Sequence, residues 1–193
     1  YRFTVRCFLF FILIYITSIV YANAGIIKCE NYSQMGLHEP AINHCKIVIN
    51  NKKSSNIEIN KALYYVGNSY FSLDQPDKAL EAFSNLIKND KNYPEAHYLK
   101  GVILLRQGKS KLAKESFENA ILLNYTNKQL SRLYAKSLLQ NNDKKNAILK
   151  LTELTLTEPK DIILLTELSK AYISIENYSK AIEKINKVIF LNN

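Results

Sequence analysis

A chain of 193 residues, 47% hydrophobic and 22% charged, holds enough apolar material for one domain or one short array of repeats. Only five glycines and four prolines argue against a loop-rich all-β fold, and the formal net charge of +9 rests on dispersed lysines rather than on a basic tail. The chain is also rich in Asn and Ile, so a codon bias is the expected source of much of the charge, with an evolved basic surface for nucleic acid or anionic lipid as the alternative; no nucleic-acid partner is expected.

The chain opens with Arg2 and Arg6 before an uncharged apolar stretch from Cys7 to about Val20, followed by Ala22-Asn23-Ala24. A positive start, an apolar centre and small residues are the three parts of a secretory signal, with cleavage expected after Ala24. The competing reading is a retained membrane anchor, because the uncharged run continues to Ile27 and could span a thinned bilayer. Beyond it, "EPAINHCKIVIN" carries Ala41, Cys45 and Val48 at helical spacing, and "NNKKSSN" reads as a loop.

From residue 60 the chain repeats itself every 34 residues. Gly67, Gly101, Ala135 and Ser169 form a series of small residues, and Ala79, Ala113, Ala147 and Ala181 form a second. Phe83, Phe117, Leu151 and Ile185 are bulky; Tyr70, Leu104, Leu138 and Tyr172 keep the same register, as do Leu86, Ala120, Leu154 and Val188. Apolar positions three and four apart on either side of a polar break make each unit two amphipathic helices. The small residues are expected to let the two helices approach, Gly67 facing Ala79 and Gly101 facing Ala113, while the bulky series fills the space between units. One unit cannot bury its own faces, so units stack.

The polar breaks are "LDQPD", "RQGKS", "QNNDK" and "IENYS". Gly108-Lys109-Ser110 looks like the end of a phosphate-binding loop, but that motif needs a glycine five residues earlier, where Ile103 stands. Turn chemistry explains the triplet, since it falls in the same break as Asp74-Gln75-Pro76.

These units resemble tetratricopeptide repeats, the 34-residue helix-turn-helix family, most clearly in "YYVGNSYFSLDQPDKALEAF" and "YLKGVILLRQGKSKLAKESFENAI", with Pro159 closing the third unit. The resemblance implies an all-α, tetratricopeptide-type α-α superhelix, a solenoid of antiparallel helix pairs. Four repeats are expected over 60–93, 94–127, 128–161 and 162–193, after a divergent helical pair and connecting loop over 25–59, whose first helix around "KCENYSQMG" matches poorly. The family holds a peptide or partner helix on a concave surface lined by the first helix of each unit. Carried over, that groove takes Tyr64, Asn68 and Phe71, then Tyr98, Val102 and Leu105, then Arg132 and Lys136, and last Thr166, Lys170 and Ile173. It would be aromatic at one end and basic at the other, suiting a segment with apolar anchors and an acidic stretch. The family's clamp for chaperone tails is not supported, because Tyr64 stands where a lysine is needed four residues before Asn68.

With Cys7 in the signal, Cys29 and Cys45 are the remaining cysteines, on the facing helices of the divergent pair. In an exported chain such a pair is expected as a disulfide, with two buried free thiols as the alternative. His38 and His44 stand nearby, but the four residues lack the paired spacing of a zinc site, so no metal and no cofactor is expected. Triplets of the form N-x-S/T at Asn31, Asn124 and Asn177 are chance products of an Asn-rich chain. No HExxH, GxSxG or CxxCH motif occurs and no carboxylate pair exceeds what solvated helix faces explain, so the chain is not expected to be an enzyme. The reading is a non-enzymatic scaffold: an exported adaptor or assembly factor of a bacterial envelope, with a membrane-anchored scaffold or a secreted effector engaging a host protein as alternatives. At the C-terminus, Ile182 and Ile185 are expected to pack inward against Leu168 and Tyr172, whereas Ile189 and Phe190 remain uncovered. Either further chain covers this face or it docks on something, most economically on a second copy as a homodimer through residues 178–191.

Overall fold

The computed structural model describes residues 25–192; the expected signal over 1–24, with Cys7, lies outside the described residues, as does Asn193. Every regular element among the described residues is an α-helix. They are α1 over 25–34, α2 His38–Asn50, α3 Asn56–Ser72, α4 Pro76–Asn89 and α5 Pro94–Arg106. Then follow α6 Ser110–Leu122, α7 Lys128–Gln140, α8 Lys144–Thr157, α9 Ile162–Ser174 and α10 Tyr178–Asn192. None of them is long and apolar enough to cross a membrane. The chain divides into two compact units, the first ending at Ala96 and the second beginning at His97.

Within each pair the two helices are joined by the same turn. The residues Asp74, Gly108, Asn142 and Glu176, spaced 34 apart, all adopt positive φ between 55° and 74°. In each case the amide of the following residue donates to the carbonyl five residues back, as Gln75 N to Tyr70 O and Lys109 N to Leu104 O, both 2.9 Å. This is a Schellman-type cap, in which a left-handed residue satisfies the last carbonyls of the first helix. Gly36 repeats it at φ 72°, with Leu37 N donating to Tyr32 O. The poorly matching "KCENYSQMG" therefore ends like every other first helix.

In the first unit α1 to α4 form two such pairs, and α3 packs against both α2 and α4. The expected boundary at residue 60 moves: α3 starts at Asn56, one turn earlier, because Ser55 and Glu58 form a capping box in which each satisfies the other's backbone amide. The core gathers Ile26, Cys29, Cys45, Val48, Ala62, Val66 and Ala82. Cys29 and Cys45 are fully buried and joined by a disulfide across 16 residues of sequence.

That separation also links Gly67 to Phe83 and Gly101 to Phe117. A Cβ added at Gly67 would lie 2.6 Å from Phe83 Cε1, and one at Gly101 would lie 2.6 Å from Phe117 Cε1. What each glycine admits first is therefore the aromatic ring of its own unit, a series expected to fill the space between units. Since rings and backbone cannot share space, residue size along the chain is matched pair by pair. Gly67 and Gly101 take Phe, and Ala135 and Leu151 are buried in one core cluster. In the first pair the disulfide occupies the same two positions.

In the second unit, α7 to α10 enclose a core of Ala135, Leu151, Leu164, Leu168, Ala171, Tyr172 and Ala181. Helix α10 packs on α9 through Ala181. Ile182 and Ile185 do not turn inward as expected: they are exposed together with Tyr178, Ile189 and Phe190, the last 79% exposed. An exposed flank of α10 therefore carries an apolar stripe at steps of three and four residues.

Candidate functional site

The first helices of the repeats are α3, α5, α7 and α9. On α3, Tyr64, Asn68 and Phe71 are half-buried, at steps of four and three residues that keep them on one face. The Asn68 side-chain amide has no hydrogen-bond partner among the described residues. Tyr64 meets Tyr93, from the turn that leaves the pair, with ring centroids 5.8 Å apart, and contacts Tyr65 edge-on. Burial and the neighbouring Glu95 carboxylate push the Tyr93 hydroxyl up to about 12, so it remains a donor at any physiological pH. Tyr65 donates to Glu30 Oε1 at 2.6 Å, tying α3 to α1.

On the second unit the same position recurs. Tyr98 meets Tyr125 with centroids 5.2 Å apart, again joining a first helix to its exit turn. One repeat further on, Arg132 makes the equivalent tie with ions in place of rings: its Nη2 donates to Glu158 Oε2 at 2.7 Å and to Asp161 Oδ2. Asp161 also caps α9 by accepting from Leu164 N at 3.0 Å. That backbone donor and the guanidinium hold the Asp161 carboxyl below the usual range, and the two carboxylates keep Arg132 charged although burial opposes it.

Two expected groove residues are therefore corrected. Arg132 is not an available cation; its side chain is 14% exposed and is held by two carboxylates. Leu105 is 6% exposed and belongs to the core. A helix of 3.6 residues per turn drifts by about 20° over seven residues, which carries Leu105 from the Tyr98 side back toward buried Gly101. Val102 is half-buried, Lys136, Lys170 and Ile173 are exposed, and the Thr166 hydroxyl donates to Ile162 O of its own helix at 2.7 Å.

The sequence reading also missed Glu167. It is half-buried near Lys136, Arg132 and Lys170, and burial raises its carboxyl above the usual value despite those cations. Arg132, Lys136 and Lys170 are therefore balanced by Glu158, Asp161 and Glu167, so this face is not net basic. The arrangement offers half-exposed rings, an amide and balanced charge, which suits non-covalent holding. Among the described residues no cluster of three His, Cys, Asp or Glu is placed to bind a metal ion.

Helix pairs repeated at 34 residues and joined by one capped turn define an all-α fold of the tetratricopeptide type. Residues 67–108 match the family model described as TPR repeat, and residues 94–127 match the one described as Tetratricopeptide repeat. No curated protein matches the chain. Solved structures share the fold. MamA 41-end from Desulfovibrio magneticus RS-1 is 21% identical over 87% of this chain and 95% of that one, with a TM-score of 0.75. The MamA RS-1 ArsTM double mutant is 22% identical over 87% and 94%, with a TM-score of 0.76. YrrB, described as a TPR protein with an unusual peptide-binding site, is 20% identical over 86% and 84%, with a TM-score of 0.78. Repetition of stacked helix pairs builds surface that no single pair provides.

Proposed function

We propose that the chain is an exported adaptor or assembly factor that holds a partner peptide or helix against the first-helix faces, without catalysing a reaction. The observation that carries this is the α3 face, where Asn68 offers an unpartnered amide between the half-exposed rings of Tyr64 and Phe71. A side-chain amide flanked by aromatics can pair with a peptide backbone while the rings cover apolar side chains. The peptide-binding site named for YrrB makes such use of this fold reasonable. Tyr98 and Val102 continue the pattern on the second unit. Export is supported by the signal-like first 24 residues and by the Cys29–Cys45 disulfide, which persists in oxidising compartments. The test is photo-crosslinking in cells from a reactive side chain placed at Phe71, with Leu149, exposed on α8, as control. Discrete adducts from Phe71 alone are expected; equal labelling from both positions would remove the reading.

A second interaction is proposed for α10. The exposed Tyr178, Ile182, Ile185 and Ile189 form a self-complementary apolar stripe, and a second copy of the chain would cover it by two-fold pairing. Sedimentation of the wild type against Ile189→Lys/Phe190→Glu tests this; a wild type that stays monomeric at high micromolar concentration would exclude it.

A further inference from the structure

The first unit carries a concave feature distinct from the first-helix face. A trough of about 420 Å³ lies between α2 and α4, with Leu63, Val66 and Tyr70 of α3 along its floor. Around α3 these three positions are displaced by roughly a third of a turn from Tyr64, Asn68 and Phe71, so the trough opens on another side of the helix. Lys46 of α2 and Lys78 of α4 stand on opposite walls, and both ammonium groups converge on the Tyr70 ring, 5.7 and 5.4 Å from its centroid. Neither lysine is ion-paired with a carboxylate among the described residues. Lys78 donates only to the neutral Gln75 amide. Glu81 lines the same wall, which leaves the site with one net positive charge.

We propose that this trough binds a short acidic-apolar segment of a partner protein, with an Asp or Glu side chain seated between Lys46 and Lys78. Two cations brought together over one ring repel each other, and a carboxylate between them relieves that repulsion while gaining two charge-assisted contacts. From Lys78 to Asn85 the α4 wall runs for about 10 Å, long enough for about three extended residues. The residues after the acid would lie over Leu63 and Val66, which are buried and apolar. The amides of Asn50 and Asn85 line the walls, where they can pair with the backbone of the segment. The acidic preference read from the sequence is thereby moved from the balanced face of the second unit to the trough between α2 and α4 of the first. The inference does not depend on the first-helix reading, because it uses different residues.

The experiment uses the full chain and a pool of peptides, acetyl-Ser-Glu-X-X-Ser-amide, with X drawn from Leu, Ile, Val and Phe, followed by NMR at low and physiological salt. Members of the pool should shift the Tyr70 ring protons and the Lys46 and Lys78 signals, with binding weakened at higher salt. Replacing the peptide Glu by Gln, or introducing Lys46→Gln/Lys78→Gln, should weaken binding at least tenfold, while Asn68→Ala leaves it unchanged. The two lysines are exposed, so the double variant is expected to keep its fold, which its helical circular dichroism verifies. No shift across the whole pool, equal binding of the Gln peptides, or binding indifferent to the lysine substitutions would overturn the assignment.

Discussion

If Gly67 is small because Phe83 occupies the space beside it, the two positions must couple energetically. In Gly67→Ala the added methyl falls 2.6 Å from Phe83 Cε1 and 2.7 Å from Cζ, roughly 1 Å inside the usual carbon–carbon contact of about 3.5–4 Å. Phe83 is fully buried and cannot withdraw. Ala in a helix interior gains about 0.8–1 kcal/mol over Gly, whereas overpacking costs about 1–3 kcal/mol, so the single variant is neutral to about 2 kcal/mol less stable. Phe83→Leu alone trims a ring beside a notch that nothing else fills, at about 1–1.5 kcal/mol. The double variant reproduces Ala135 with Leu151, a pair that is fully buried in the second unit. Its methyl takes up the space the ring vacated, so it should be more stable than the sum of the singles by at least about 1 kcal/mol, or about 2–4 °C in Tm. Urea unfolding of the four proteins measures the cycle. Additivity to within about 0.5 kcal/mol would refute the pairing.

Arg132→Gln leaves Glu158 and Asp161 without their shared cation and should cost about 1–2 kcal/mol at neutral pH, since the cluster is only partly exposed. The Asp161 pKa is depressed in the fold, so its contribution is present above the unfolded value of about 3.9 and disappears as pH falls through the folded value; a gap between wild type and variant that persists unchanged to pH 3 would contradict this. Glu167 has the opposite sign: its raised pKa means that ionisation costs stability as pH rises from about 4.3 through the folded value. Glu167→Gln should therefore melt higher than wild type at pH 7 and alike at pH 4, and a lower Tm at pH 7 would count against the burial argument. Cys29→Ser/Cys45→Ser should lower the stability of the first unit by about 3 kcal/mol in the chain-entropy model, and equal urea midpoints for oxidised and reduced wild type would exclude that contribution.

The repeat was legible because packing pairs are local: Gly67 and Phe83 are 16 residues apart, and their register returns every 34. The first helix of the divergent pair was not, because Cys29 and Cys45 replace the small and bulky residues by which a unit is recognised, and the loop before Asn56 shifts the register. The candidate face was less legible than the fold. Periodicity gives the side of a helix, which located Tyr64, Asn68 and Phe71, but it does not give the acceptors waiting across the unit. Arg132 reaches Asp161 over 29 residues of sequence, and Glu167 acquires its character only from burial near Lys136 and Lys170.

The left-handed turn has an architectural consequence. Because residues 74, 108, 142 and 176 share one conformation and one set of amide acceptors, the chain can in principle be cut and rejoined between any two of them. Excising residues 143–176 would join Asn142 to Asn177 and leave the backbone of the turn as it was. The joint is universal, but the contents are not: that splice brings Ala135 opposite Ile185, a tolerable match, whereas excising 109–142 sets Gly101 opposite Leu151 and opens a void the size of the lost ring edge. The length of such a chain can thus change only in whole steps of 34. Which steps survive is decided by a single small-to-bulky pairing inside each unit, and the turn that permits the splice has no part in choosing it.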